Sequence, residues 1–264
     1  MNPKLSVIMA INNYTPYLEE AINSILRQTF HEFEFIIVAN GCDDNLYKLL
    51  LEYQKKDERI SVNRTELGGF AFALNYGLNL SKAKYIARMD ADDKCSYDRL
   101  KIQFDIMEKD ETISILGTAC NFIDENNNYI ENRNFNICTD NKKIRAILPY
   151  RNPIIHASMM CRRDCLLEIG GYRYGHMSED HELFIRLARN KDIIFKNINI
   201  PLYSYRRHKE QITDMSRAKK NFAEISAFLL TEFILSFNFK YVIGMIRNAP
   251  CIRNFYNLIK MRKK

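Results

Sequence analysis

The sequence predicts an α/β fold with a mostly parallel, Rossmann-like sheet flanked by helices, and three observations predict it. Continuous apolar runs at residues 4–10, 32–39 and 84–89 are long enough for strands covered on both faces. Helical periodicity fills the intervals between them. The resulting order, βαβαβαβ, is that of a doubly wound sheet.

The elements follow in turn. After the first strand, "PYLEEAINSILRQT" repeats Tyr17, Leu18, Ala21, Ile22, Ile25 and Leu26 at amphipathic spacing behind a Thr15-Pro16 start signal. The second strand, "EFEFIIVA", precedes a helix over about 44–56, a short strand over 60–63 and a helix over 69–80. The strand at 84–89 runs into the acidic "DADD", and Leu100, Phe104 and Met107 then continue a helix face. "TISILGTACNFID" (112–124) reads as another core strand, and the Asn-rich 125–134 as a hairpin or loop. A helix (139–148), a strand (157–162), the turn "EIGGY", a helix from Ser178 to Asn190 and strands over 193–207 complete the domain. The remaining residues are helical and basic. With no repeat and no linker, residues 1–215 form one domain, with halves at about 1–95 and 96–215, and residues 216–264 an extension.

The bulk numbers suit a globular enzyme: 264 residues and a hydrophobic fraction of 47% fill a substantial core. A net charge of +7, from 39 Lys and Arg against 32 acids, is too dispersed to signal nucleic acid; a phosphate-bearing ligand or an anionic membrane suits it equally. Seven cysteines without a C-x-x-C pair indicate neither a disulfide framework nor a zinc ribbon, and a reducing cytosol is expected. "MNPKLSVIMA" offers too short an apolar region for a signal peptide. The longest apolar stretch, 225–237, contains Glu232 and falls short of the roughly 20 residues a membrane span needs.

No G-x-G-x-x-G follows the first strand, where the tip is "INNYTP", and no Walker loop exists, so a phosphate ligand needs another anchor. Asp90 and Asp92 lie two apart at the carboxyl end of a strand, where a period of two turns both carboxylates the same way. Mg²⁺ or Mn²⁺ binds through one or two such carboxylates plus substrate phosphates. Taken alone, "DADD" equally caps the helix that follows Ser96. A calcium loop fails, because its sixth position is Cys95 and its twelfth Lys101. Glu179 and Asp180 fall in the first turn of a helix behind Ser178, the expected N-cap. They either stabilise the helix dipole or present a general base to a cleft, and spacing does not decide between these.

Together, "LSVIMAINNYTPYLEEAINSILRQTFHEFEFIIVANG", "LGGFAFALNYGL", "YIARMDADD" with its "DRL", "NPIIHASMMCRRDCLLEIGGY", "SEDHELFIRLA" and "YSYRRHKEQIT" resemble glycosyltransferase family 2 over about residues 4–215. The resemblance implies a GT-A fold and metal-dependent, inverting transfer of a hexose or N-acetylhexosamine from a nucleotide-sugar. It implies Asp92 as the metal ligand on Mn²⁺ or Mg²⁺, with Asp90 beside it near the ribose and diphosphate. Asp180 becomes the catalytic base, Glu179 an acceptor contact and His208 a diphosphate or metal contact. Arg88 supports the nucleotide or the acid pair, or is an ordinary edge charge. Asn12, in the tip after the first strand, joins the nucleotide contacts.

One departure concerns the base. The family commonly has an acid where this chain has Asn40, whose amide oxygen can still accept the uracil N3–H, so a UDP-sugar is expected. Asp43 or Asp44 could compensate, and dTDP or GDP donors stay open. A sugar nucleotidylyltransferase would carry a Gly-rich basic loop that is missing here, and a non-catalytic sugar-binding protein would not need both "DAD" and "ED". In the extension, Phe222, Ile225, Leu229 and Phe233 recur at helical spacing among Lys and Arg. That stretch either lies on an anionic membrane or packs on the domain. A membrane-bound extension implies a lipid-linked saccharide acceptor, a site on the cytoplasmic face of the inner membrane, and O-antigen, lipooligosaccharide or capsule synthesis.

Overall fold

The computed structural model describes residues 2–130, 137–173, 178–208, 218–249 and 252. Its centre is an eight-stranded sheet in the order β3-β2-β1-β4-β7-β6-β8-β5. Here β1 is Leu5–Ile11, β2 Phe33–Asn40, β3 Ile60–Thr65, β4 Tyr85–Arg88, β5 Lys94–Cys95, β6 Ile113–Ile123, β7 Met160–Arg162 and β8 Ile194–Arg206. The four strands β3, β2, β1 and β4 are parallel, as their apolar runs predict. Every residue of β1 is buried, because the strand period of two feeds two cores at once. Val7, Met9, Phe35 and Ile37 face one core, while Ile8, Ala10, Ile36 and Val38 face the other.

Helices α1 (Leu18–Leu26), α2 (Asp44–Lys56) and α4 (Arg99–Lys109) cover the first face with Leu18, Ile22, Leu46, Leu50 and Met107. Helices α3 (Phe70–Leu80), α5 (Asn141–Ile147) and α7 (Glu179–Leu187) cover the second with Leu74, Leu78, Ile144, Leu183 and Phe184. After β1 the chain builds outward through β2 and β3, then returns to place β4 on the other side of β1. The strand order therefore reverses between β1 and β4, and the crevice beyond their carboxyl ends is where an open α/β sheet binds ligands.

The second half is less regular than its sequence suggests. β7 pairs antiparallel with both β4 and β6, so the sheet is mixed there. The strand expected over 157–162 contracts to three residues, because a 3₁₀ turn occupies His156–Ser158 and helix α6 (Arg163–Glu168) follows at once. The two-residue β5 was not anticipated. At 125–134, Asp124 Oδ1 accepts from the amides of Asn126 and Asn128, both at 2.8 Å, and Ile123 bridges Tyr129, as in a hairpin turn. Residues 131–134 of that stretch lie outside the described residues.

The extension packs on the domain by one face. Helix α8 (Ala218–Ser236) buries Leu229, and its Glu232 pairs with Arg189. In α9 (Lys240–Asn248), a Cβ on Gly244 would lie 1.9 Å from the Pro149 carbonyl oxygen, so the helix sits against that backbone through the missing side chain. No helix among the described residues is long and apolar enough to cross a membrane. The six described cysteines are all free, and Cys251 lies outside the described residues.

Candidate active site

The crevice is lined by the residues that follow β1, β2 and β4. Asn12 is exposed at the tip after β1. Asn40 ends β2 with only 4% of its surface exposed, and its amide nitrogen donates to the Gly69 carbonyl at 3.4 Å. The amide oxygen is left as the acceptor. Gly69 has φ +129, a backbone that a side chain rarely adopts, which keeps its carbonyl at the mouth of α3. Asp43 and Asp44 do not stand in for an acid at position 40: Asp43 accepts from the Leu46 amide at 2.8 Å as the cap of α2, and Asp44 pairs with Arg64.

Arg88 is not an edge charge. It is 1% exposed, donates to the carbonyls of Met89 at 2.9 Å and Ile8 at 3.4 Å, lies over the Phe70 ring and bonds the Asp90 carboxylate. A buried cation needs such partners, and a buried carbonyl needs such donors. Asp90 and Asp92 stand beyond the strand, because β4 ends at Arg88 and Asp92 lies in a turn. Strand alternation is thus not what aims them. A framework from β8 holds the turn instead: Arg206 donates its backbone amide to Asp93 Oδ1 at 2.7 Å and its Nε to the Asp92 carbonyl at 2.8 Å. The same guanidinium reaches Glu20 and the Asp124 carbonyl and lies over the Tyr17 ring.

The His208 ring nitrogen Nε2 lies 2.9 Å from Asp92 Oδ2, and the imidazole tilts against Tyr17 at 5.2 Å. Burial and the charge of Asp90 push the Asp92 carboxyl above the usual range, with His208 opposing them. Burial followed by repulsion from Asp92 and Asp90 pushes Asp93 well above it. Three crowded carboxylates in a partly buried turn favour the arrival of a cation. Among the described residues no cluster of three His, Cys, Asp or Glu side chains could hold a metal unaided. Asp92, with Asp90, suits Mg²⁺ or Mn²⁺, which takes its other ligands from phosphates and water.

The second acid pair opens α7. Ser178 occupies the N-cap position, yet its hydroxyl makes no cap bond; it bonds Asn221 of α8. Asp180 is held by two donors, Asn152 Nδ2 to Oδ2 and the His181 amide to Oδ1, both at 2.7 Å. Burial raises its pKa, and His181 and Asn152 oppose the rise. The expected ionised base is therefore hydrogen-bonded but not well solvated. Glu179 is 9% exposed, and burial and then the Asp180 charge push it up to about 8, against a pull from Arg88. At neutral pH, Glu179 therefore keeps its proton. Glu179 feels the charges of both Arg88 and Asp90, so the two acidic groups are neighbours.

Several supporting residues escaped the sequence reading. Asn152 lies in "NPIIH" and Arg206 in "YSYRRH", stretches whose other polar members drew attention first. His156 Nε2 meets the Tyr172 hydroxyl at 2.7 Å behind Arg88, and Asn75 clamps the backbone of Tyr172 through bonds of 2.7 and 2.8 Å. Their signal was a polar residue inside an apolar run. The "KEQIT" after His208 lies outside the described residues.

The family model described as Glycosyl transferase family 2 matches residues 6–170. The O-antigen biosynthesis glycosyltransferase WbnJ of Escherichia coli is 34% identical over 232 residues, covering 87% of this chain and 89% of its own. An uncharacterized glycosyltransferase of Methanocaldococcus jannaschii is 34% identical over 210 residues, 77% of this chain and 71% of its own. Among solved structures, S. aureus TarS 1-349 in complex with UDP-GlcNAc superposes with a TM-score of 0.69 over 87% of this chain and 66% of TarS 1-349, at 16% identity. The mannosyltransferase PcManGT of Pyrobaculum calidifontis, in complex with GDP-Man and Mn²⁺, gives 0.63 over 88% of this chain and 65% of its own, also at 16% identity. The two solved structures share the GT-A fold that the motifs implied. With a family match over more than half its length, an acid-lined crevice at the switch point of its sheet and an O-antigen transferase among its relatives, this chain belongs to glycosyltransferase family 2.

Proposed function

We propose that the chain moves a hexose or N-acetylhexosamine from a UDP-sugar to a hydroxyl of a lipid-linked saccharide, in the synthesis of O-antigen, lipooligosaccharide or capsule. The observation that carries this reading is the nearness of the two acidic groups: Asp92 bonds His208, Asp90 bonds Arg88, and Glu179, beside Asp180, feels the charges of both Arg88 and Asp90. The likeness to an O-antigen transferase supports the pathway, and the UDP-GlcNAc complex of a structure with the same fold supports the donor class. Residues 1–215 then form the catalytic domain, working at the cytoplasmic face of the inner membrane.

Asp92 and Asp90 would hold Mn²⁺ or Mg²⁺, which when bound neutralises charge growing on the leaving diphosphate. The residues of the chain do the rest. Asn12 and Asn40 receive the nucleoside, Asn40 through its amide oxygen on the uracil N3–H. Arg88 holds Asp90 in place from beneath. His208 steadies Asp92 and adds a donor toward the diphosphate. Asp180 removes the proton from the acceptor hydroxyl, whose oxygen attacks the anomeric carbon as the bond to the diphosphate breaks, inverting that centre. Glu179, holding its proton at neutral pH, donates a hydrogen bond to the acceptor.

A panel of UDP-, dTDP- and GDP-sugars, assayed for nucleotide release with Mn²⁺ and with chelator, tests the reading. UDP-sugars should turn over fastest, and chelator should stop them. Undiminished turnover in chelator removes the metal role, and release from none of the donors removes the transferase reading.

A further inference from the structure

Opposite its packed face, the α8–α9 hairpin leaves apolar side chains exposed among the described residues, the rings of Phe237 and Phe239 meeting that of Phe233 at 6.2 and 5.2 Å. Ile234, Leu235, Phe237, Phe239, Ile243 and Ile246 are each between 53% and 76% exposed. They share the hairpin's tip and the outer side of α9, where Phe239, Ile243 and Ile246 recur at helical spacing. Isolated apolar residues on a surface are ordinary, but a contiguous group of six is a binding surface. Phe237 sharpens the point. It ends α8 with φ +50, donating its amide to the Phe233 carbonyl at 2.7 Å in the position where helices favour glycine. A phenylalanine held against that backbone preference and left 76% exposed does not serve the core.

The charge around this face identifies what covers it. Residues 233–264 contain seven Lys or Arg and neither Asp nor Glu, so the whole net charge of +7 resides in them and the first 232 residues balance. Lys240 and Arg247 are exposed on α9 itself. On α8 the acid nearest the tip, Glu232, is buried against Arg189 and presents no charge to the surface. Among the described residues, the charges beyond Glu232 on α8 and α9 are Lys240 and Arg247 alone, and apolar side chains beside cations match the interface of an anionic bilayer, whereas two copies of this face would bring like charges together.

We propose that the α8–α9 tip, centred on Phe237 and Phe239, inserts into an anionic phospholipid surface and docks the enzyme there. The inference deepens the lipid-linked-acceptor reading and rests on it for its purpose. At its other end α8 touches the residues that flank the acid pair, through Ser178 with Asn221 and His181 with Phe228 at 5.5 Å. From Asn221 to Ser236 the helix is about 22 Å long, so an acceptor anchored where the tip enters has that span to cross to Asp180.

The test is flotation of the full chain with phosphatidylcholine vesicles and with vesicles containing phosphatidylglycerol, for wild type and the double variant Phe237→Ser, Phe239→Ser. Melting temperature and transfer to a soluble saccharide acceptor are measured alongside. The wild type should float with the anionic vesicles only, and the variant should bind them at least about tenfold more weakly with melting and soluble transfer unchanged. Equal flotation of both proteins, or none by the wild type, overturns the proposal. So does a wild-type dimer by light scattering that the variant converts to monomer, which would make the face a contact between copies. Failure of soluble transfer by the wild type would instead count against the transferase reading, and vesicle binding is read independently of it.

Discussion

Glu179 keeps its proton to about pH 8 because burial and the adjacent Asp180 both oppose its ionisation. Its folded pKa lies above the ordinary carboxylate value, so the stability linked to it is complete below that value and is lost as pH rises through about 8. Glu179→Gln should therefore raise the melting temperature at pH 9, by a gain on the order of 5 kcal/mol, and do little at pH 5. Calorimetry at both pH values checks this, and an equal shift at each would contradict it. Asp180 differs in having two donors on its carboxylate. Removing one with Asn152→Ala should lift the acidic limb of the kcat/KM profile by about one pH unit, the effect of losing one hydrogen bond to a charged group. The limb reports the pair rather than either acid alone, so the shift and not its absolute position is the readout.

At the scale of elements, legibility followed the apolar run. β1, β2 and β4 each announce themselves because strands buried on both faces must be continuously apolar. β5 does not, since two residues carry no strand pattern of their own, and Lys94-Cys95 takes its strand form by pairing with Ser204 and Tyr203. The acids after β4 were recognised by spacing, but strand alternation was the wrong account of their aim; Arg206, 114 positions away from Asp92, holds their turn. Arg206 was hidden, and the alternatives for Arg88 stayed open, for a related reason: arginine is expected at the surface, and only the folded chain supplies the carbonyls and carboxylates that let it be buried. The extension read as membrane-lying or packed, and the structure shows one of its faces packed on the domain. Gly244→Ala would drive a methyl group into the Pro149 carbonyl, which must shift. We expect a loss of about 2 kcal/mol in stability, with UDP affinity unchanged, as measured by thermal melting and calorimetric titration.

For the molecule as a whole, the parallel half places Asn12, Asn40 and the Asp90–Asp92 turn at the carboxyl ends of β1, β2 and β4, and the mixed half carries the acid pair on α7, where Glu179 feels Arg88 and Asp90. The family motifs made this division legible, while the support behind each acid depended on contacts distant in sequence. Because the donor would bind only the folded chain, UDP with Mn²⁺ should raise the melting temperature, by about 2.7 kcal/mol of stabilisation at a hundredfold excess over Kd, and chelator should remove most of that gain. The central claim is that Asp180 deprotonates the acceptor across the cleft from a diphosphate held at Asp92. Turnover of Asp180→Asn, with UDP affinity in Mn²⁺ measured on the same protein, tests it most directly. We predict affinity within about twofold of wild type and transfer reduced by about a thousandfold; transfer near the wild-type rate would contradict the account.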